Sequence, residues 1–295
     1  MSNRFSAIDI GSNAIRLIIG EWTGHEWVIL KKERAAVRLG ADAFAHGSIS
    51  EKLFNESLVT FRKFAALNRK FKVGRCRAVA TSALRESRNA KQFIDYIQKR
   101  TRIKIELISG EEEGLIIRDA VYSSFPFSNE HSLFIDIGGG SIELTFNHGQ
   151  KMQATRSFRM GTVRTLQRGP LKDSLAIYAK TLKPYIHNSV SRDPLSFAVG
   201  TGGNIESLGR LKLLLLKKTP NTFITLEELK SLLATLTKMK IEERITQLKM
   251  RPDRADVVVP ALSVLILVME LAHVEKLKIP YVGLRDGLLR SFVSL

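Results

Sequence analysis

Apolar and polar residues alternate over Phe5–Ile10, Ile15–Glu21 and Trp27–Val37, which predicts three consecutive strands. A loop is predicted over Leu39–Ile49. Ser50 is placed to cap a helix running to about Phe71, because Leu53, Leu58, Phe61, Phe64 and Leu67 form a helical stripe. A strand over Arg75–Thr81, a helix over Asn89–Arg100 and a strand over Lys104–Ile108 follow. Ser109-Gly110-Glu111-Glu112 reads as a capping box that opens a helix ending near Ser123. The polar segment Ser124–His131, with Pro126, is the natural boundary.

The same order then restarts. Strands are predicted over Leu133–Ile137, Ser141–Asn147 and Gln153–Phe158, then helices over Thr162–Gln167 and Ser174–Val190. A strand over Leu195–Val199 leads into Gly200-Thr201-Gly202-Gly203 and a helix from Asn204. The remainder reads as helices over Thr225–Met239, Ile241–Leu248 and Arg254–Leu277, a strand over Lys278–Val282 and a helix over Arg285–Val293. Two halves with the same three-stranded opening predict a duplicated α/β architecture around a cleft, and ligands favour such interfaces.

The repeat is visible in the letters. Ile8-Asp9-Ile10-Gly11-Ser12-Asn13-Ala14-Ile15-Arg16-Leu17 returns as Ile135-Asp136-Ile137-Gly138-Gly139-Gly140-Ser141-Ile142-Glu143-Leu144. Each copy is a strand ending in Asp, a small-residue turn and a second strand. Such a turn exposes N–H groups that cradle phosphate oxygens. An Asp at the strand end holds a metal or a water.

Composition narrows the partners. The 295 residues, 44% hydrophobic and 25% charged, describe an ordinary soluble chain with room for two domains. Met1–Arg4 runs straight into a strand, which predicts no signal peptide, and Val257–Leu271 is too short for a membrane span. The single cysteine, Cys76, permits no internal disulfide and suits a reducing, cytoplasmic compartment; its apolar surroundings predict a core strand position. The net charge of +17 and pI near 10.1 favour a polyanionic partner. Aromatics are only 7% and are not interleaved with the basic clusters, which argues against nucleic acid. The six histidines are scattered, with no zinc spacing.

Read together, the Asp9–Asn13 turn with Arg16, Ala80–Arg85, Ile108–Glu113, Asp136–Ser141 with Glu143, and Gly200–Gly203 resemble the exopolyphosphatase/guanosine pentaphosphate phosphatase family. Arg38-Leu39-Gly40, Met160–Arg164, Arg254-Ala255-Asp256 and Gly283–Gly287 extend the resemblance over essentially the whole chain. It implies two actin-like (ribonuclease H-like) α/β domains around a central cleft, residues 1–125 and 126–295, with the last helix, about 285–295, placed to pack back on the first. Long members carry an extra C-terminal helical domain, so this chain is similar to the short form.

The resemblance also implies roles. Phosphoanhydride hydrolysis needs a phosphate cradle, charge neutralisation, a metal and an oriented water. Gly11, Ser12, Asn13 and Arg16, then Gly138, Gly139, Gly140 and Ser141, then Gly200, Thr201, Gly202 and Gly203 are the expected phosphate contacts, with Arg164 and Arg254 for distal phosphates. Asp136 and Glu143, with Asp9 as a further contributor, are the expected ligands of Mg²⁺ or Mn²⁺, because hard oxygen donors beside phosphate suit such an ion. The water-activating carboxylate falls at Glu113 when aligned through Leu115–Val121, leaving Glu112 as the capping residue; a shift of one would exchange them. Arg85 is expected to clamp phosphate or fix the base.

The expected reaction is exopolyphosphatase cleavage of linear polyphosphate. The alternative is removal of the 5′-terminal phosphate of guanosine pentaphosphate. A homodimer is compatible with both. A sugar kinase or actin-like ATPase shares the fold but lacks the Ser-Gly-x-Glu-Glu segment. A non-catalytic binder would show salt-sensitive binding without turnover.

Overall fold

The computed structural model describes residues 2–124, 127–190 and 194–293; the predicted boundary between residues 125 and 126 lies outside them. The chain forms two compact units, Met1–Ala120 joined by the segment from Gly283 onward, and Val121–Val282. In chain order the first contains β1 (Arg4–Ile10), β2 (Ile15–Trp22), β3 (Trp27–Ala35), α1 (Leu39–His46), α2 (Glu51–Lys70) and β4 (Arg75–Ala80). Then come α3 (Ser82–Arg85), α4 (Ala90–Thr101), β5 (Ile105–Leu107) and α5 (Gly110–Tyr122), whose last two residues belong to the second unit.

The second unit contains β6 (His131–Ile137), β7 (Ile142–His148), β8 (Lys151–Phe158), α6 (Thr162–Gln167), α7 (Leu171–Ser189), β9 (Phe197–Thr201) and α8 (Gly203–Leu211). A π-helical turn, Lys212–Leu216, leads to β10 (Phe223–Thr225), α9 (Leu226–Lys238), α10 (Ile241–Thr246), α11 (Pro252–Ala255), α12 (Val258–Leu271) and β11 (Lys276–Lys278). The final helix α13 (Leu284–Arg290) returns to the first unit.

The α/β class expected from the sequence is borne out, and the duplication extends to strand order. The first sheet runs β3-β2-β1-β4-β5 and the second β10-β11-β9-β6-β7-β8. In both, an antiparallel hairpin pair continues into a parallel neighbour: β1 beside β4, and β6 beside β9. Parallel pairing brings the ends of β1 and β4 together, so the turn after Asp9 and the segment after Ala80 share one end of the sheet.

Alternation decides the faces. Ile8, Ile10, Leu17 and Ile19 pack against Phe61 and Phe64 of α2 and Phe93 and Ile97 of α4, all buried. Each such side chain contributes roughly 1.5–3 kcal/mol by leaving water. Ser50 caps α2 through the Leu53 N–H at 3.4 Å. α13 covers the other face: a Cβ on Gly20 would fall 2.8 Å from Leu289 Cδ2, so glycine there lets the helix sit close without displacing that side chain. In the second unit Leu133, Ile135 and Leu144 pack with Leu262 and Leu265 of α12.

Four expectations change. The segment predicted as a loop over Leu39–Ile49 contains α1, which buries Leu39 and Ala43 and ends at Gly47 in the left-handed region, φ 69°. The helix predicted over Arg254–Leu277 is divided: α11 ends at Ala255, α12 ends at Leu271, and Lys276–Lys278 is a strand. That strand replaces the one predicted over Lys278–Val282. Cys76 lies in β4 but not in the core. The residue is exposed, while its thiol faces Ser6 and Asn68, and desolvation there pushes its pKa up, away from a reactive thiolate.

Candidate active site

The first turn is closed by a hydrogen bond from the Gly11 N–H to the Ala14 carbonyl, 3.1 Å. The side chains that decorate it are each held. Ser12 Oγ meets Ser82 Oγ at 2.9 Å, and Asn13 Oδ1 accepts from Arg38 Nε at 2.8 Å. The Gly40 N–H donates to the Ser12 carbonyl at 2.8 Å, and a Cβ on Gly40 would collide with the Ser12 side chain. Asp9 and Arg16 are cross-strand partners in β1 and β2, and Arg16 Nη1 lies 3.1 Å from the buried Asp9 carboxylate. The two charges therefore offset each other within the unit.

The first turn of α5 carries the three glutamates. Ser109 Oγ accepts from the Glu112 N–H at 3.0 Å, so Glu112 occupies the third helical position that its spacing predicts. Its side chain is half exposed and reaches Arg77 at 3.5 Å. Glu113, one residue on, turns the other way and is only 7% exposed. Arg85 Nη1 lies 3.9 Å from its carboxylate and donates to the Ile108 carbonyl at 2.8 Å. Arg85 thus joins the end of β5 to the buried glutamate.

The second turn repeats the first in its backbone, with Gly138 N–H donating to the Ser141 carbonyl at 3.0 Å. Its glycines are held differently. The N–H groups of Thr162, Val163 and Arg164 donate to the carbonyls of Gly138 and Gly139 at 2.8–3.1 Å, and Arg164 Nε donates to the Gly140 carbonyl at 2.9 Å. α6 approaches so closely that a Cβ on Gly161 would fall 2.2 Å from the backbone of Gly139 and Gly140. Ser141 is buried beside them.

Asp136 and Glu143 face each other across β6 and β7, each presenting a carboxylate oxygen within 4.8 Å of the other. Hydroxyls hold both. Thr201 Oγ1 donates to Asp136 Oδ1 at 2.5 Å, and Ser157 Oγ donates to Glu143 Oε1 at 2.7 Å. Two carboxylates this close form a hard-oxygen donor set of the kind that Mg²⁺ or Mn²⁺ takes.

After β9, Gly202 adopts φ 86° and brings the chain against Asp136, and α8 starts at Gly203. Arg254 lies beside this start: Nη1 donates to Asn204 Oδ1 at 2.6 Å, and a Cβ on Gly203 would fall 2.3 Å from Nη2. Gly200 sits inside β9 against Ile205, and Thr201 spends its hydroxyl on Asp136.

Within the first unit the structure therefore joins Asp9 with Arg16, and Arg85 with Glu113. Within the second it joins Asp136, Glu143 and Thr201, then Gly138–Gly140 with Arg164, and Gly203 with Arg254. Sequence reasoning gave no role to Ser82, Arg38, Ser157 or Asn204. Ser157 becomes visible only once register is known, since it pairs with Glu143 across β7 and β8.

Residues 18–294 match the Ppx/GppA phosphatase family. The guanosine-5'-triphosphate,3'-diphosphate pyrophosphatase of Aliivibrio fischeri is 27% identical over 304 residues, covering 100% of this chain and 60% of that protein. The protein of the same name from Photobacterium profundum is 27% identical over 303 residues, covering 100% and 60%. The chain thus spans about three-fifths of the length of these curated relatives. An exopolyphosphatase structure from Cytophaga hutchinsonii shares 25% identity at a TM-score of 0.89, covering 99% of this chain and 98% of the other. The structure of an Aquifex aeolicus Ppx/GppA member shares 26% identity at a TM-score of 0.80, covering 99% and 97%. Among the described residues no helix is long and apolar enough to cross a membrane. With residues 18–294 matched, nearly the whole length, the chain belongs to the Ppx/GppA phosphatase family.

Proposed function

We propose that the chain hydrolyses the terminal phosphoanhydride of a polyphosphorylated substrate, with guanosine pentaphosphate the favoured one. The observation that carries the reaction class is the pair of matching Asp-x-Gly turns, with Glu113 buried beside Arg85. The names of the curated relatives favour the guanosine substrate. A second reading, cleavage of linear inorganic polyphosphate, draws on the likeness to the Cytophaga exopolyphosphatase and on the net charge of +17.

In this reading Glu113 accepts a proton from the attacking water, and Arg85 keeps its carboxylate aimed. Glu112 serves the helix start, because its side chain goes to Arg77. Asp136 and Glu143 hold Mg²⁺ or Mn²⁺, which when bound neutralises phosphate oxygens. The start of α8 and the glycine turns offer N–H groups to the phosphates, and Arg254 flanks them.

Phosphate release from guanosine pentaphosphate, long-chain polyphosphate and ATP, measured side by side with Mg²⁺, tests the reading. Glu113→Gln is expected to lower kcat by about 10²–10⁴-fold, and Glu112→Gln by far less. Full activity in Glu113→Gln overturns the base assignment. Release from polyphosphate alone moves the substrate to the second reading.

A further inference from the structure

We propose that the end of the first unit where β1, β4 and β5 begin is an anchoring surface for a linear inorganic polyphosphate chain. It lies about 20 Å along the strands from the turn after Asp9, taking roughly 3.3 Å per residue. The proposal rests on the second reading above, in which polyphosphate is a ligand of this protein.

Strand register defines this end. Phe5 lies beside Arg75, so β1 and β4 start together, and Ile105 lies beside Ala78, so β5 starts about 10 Å further along and the end is stepped. α2 and α4 run directly into β4 and β5 and therefore end there too. The Gly74 N–H bonds the Arg4 carbonyl at 2.9 Å, and the Ser2 hydroxyl donates to the Lys72 carbonyl at 2.8 Å.

Arg69, Lys70, Lys72 and Arg75 lie where α2 runs into β4, and Lys99, Arg102 and Lys104 where α4 runs into β5, a step further along; all are exposed. Among the described residues none of them forms an ion pair. The neighbouring carboxylates are already taken: Glu21 by Arg4 at 3.3 Å, Glu106 by Arg77 at 3.2 Å and Asp95 by Lys91 at 2.7 Å. Helix-end electrostatics accounts for Arg69, Lys70 and Lys99, which sit in the last turns of α2 and α4. It reaches Arg102, the C-cap of α4, but does not account for Lys72, Arg75 and Lys104, which lie beyond the helices. Like charges left together without counterions raise the local potential and invite a polyanion.

The rings of the surface argue against a base-stacking ligand. They are occupied: Arg100 lies 3.9 Å over Tyr96, and Phe292 is stacked on Phe5 at 4.9 Å with Arg75 5.2 Å from its centre. A ligand here is held by phosphates, without the stacking that single-stranded nucleic acid uses.

The test compares two triple variants of the full chain. Lys99→Glu with Arg102→Glu and Lys104→Glu alters the surface. Lys172→Glu with Lys180→Glu and Lys183→Glu changes net charge equally on the exposed side of α7. Affinity for fluorescently labelled long-chain polyphosphate is measured across a salt series, with inorganic triphosphate and duplex RNA as comparators. The first variant is expected to bind long chains at least about tenfold more weakly, with a salt slope lower by about two. Its triphosphate affinity should stay at the wild-type value, and the α7 variant should match wild type throughout.

Equal losses in both variants overturn the proposal in favour of net charge alone. Tighter binding of duplex RNA, lost in the first variant, overturns the assigned ligand. If polyphosphate is hydrolysed but the first variant binds it normally, the anchoring surface fails and the second reading stands. If wild-type protein neither binds nor hydrolyses polyphosphate, both fail.

Discussion

The two turns share a backbone and differ in how their charge is arranged. Both close with a glycine N–H on the carbonyl three residues ahead, at 3.1 and 3.0 Å. In the first, one main-chain bond from Gly40 is joined by side-chain bonds at Ser12 and Asn13, and a guanidinium already sits on Asp9. In the second, main-chain contacts from α6 hold the glycines, while hydroxyls hold Asp136 and Glu143. A hydroxyl fixes a carboxylate without cancelling its charge; an arginine fixes it and cancels it. Duplication supplied one frame twice: the first copy pairs Asp9 with Arg16, and the second brings two carboxylates within 4.8 Å of each other.

The largest expected effect that separates the copies is at Gly161. Gly161→Ala drives a Cβ into main chain at 2.2 Å, which no side-chain rotation relieves. It should cost more than about 3 kcal/mol, read as a lower urea midpoint, with phosphate release lost. Gly11→Ala meets its nearest atoms at 3.3 and 3.6 Å and should shift stability by less than about 1 kcal/mol. Equal effects would end the distinction between main-chain and side-chain holding.

Next in size is the response to metal. Mg²⁺ or Mn²⁺ at a hundred times its Kd should stabilise the wild type by about 2.7 kcal/mol, seen as a rise in melting temperature. Asp136→Asn should abolish the rise and Asp9→Asn should keep it. The reverse pattern would move the cation to the first turn. A further effect is expected at Ser12. Ser12→Ala leaves the Ser82 hydroxyl short of a buried partner and should cost about 1–3 kcal/mol, read as a lower urea midpoint.

Long, strongly periodic elements were legible in the sequence. α2, α6 and the hairpin strands fall within a few residues of their predicted bounds, because one face of each is apolar and the flanks carry caps or turns. α1 was not legible because Gly40 and Gly47 read as loop residues. Gly40 is small because it must approach Ser12, and Gly47 because it ends the helix. β10 and β11 have three residues each, too few to show a period, and exist only as neighbours in the sheet. At the candidate site the carboxylates and glycines could be read from the repeat. Their partners Ser82, Ser157 and Asn204 could not, since each is set by register or by packing between distant segments.

The return of α13 to the first sheet has a consequence for the order of biosynthesis. Phe5, Gly20 and Trp27 leave the ribosome before the second unit, yet Leu289 and Phe292, which pack on Gly20 and Phe5, are made after it. The second unit is therefore complete while the first still shows an open aromatic face, the opposite of the usual amino-first sequence. Nascent chains arrested after Val282 should resist protease across Val121–Val282 and be cut within the first 120 residues. Such a chain has its glycine turn and carboxylate pair assembled before its buried Glu113 has a finished sheet behind it.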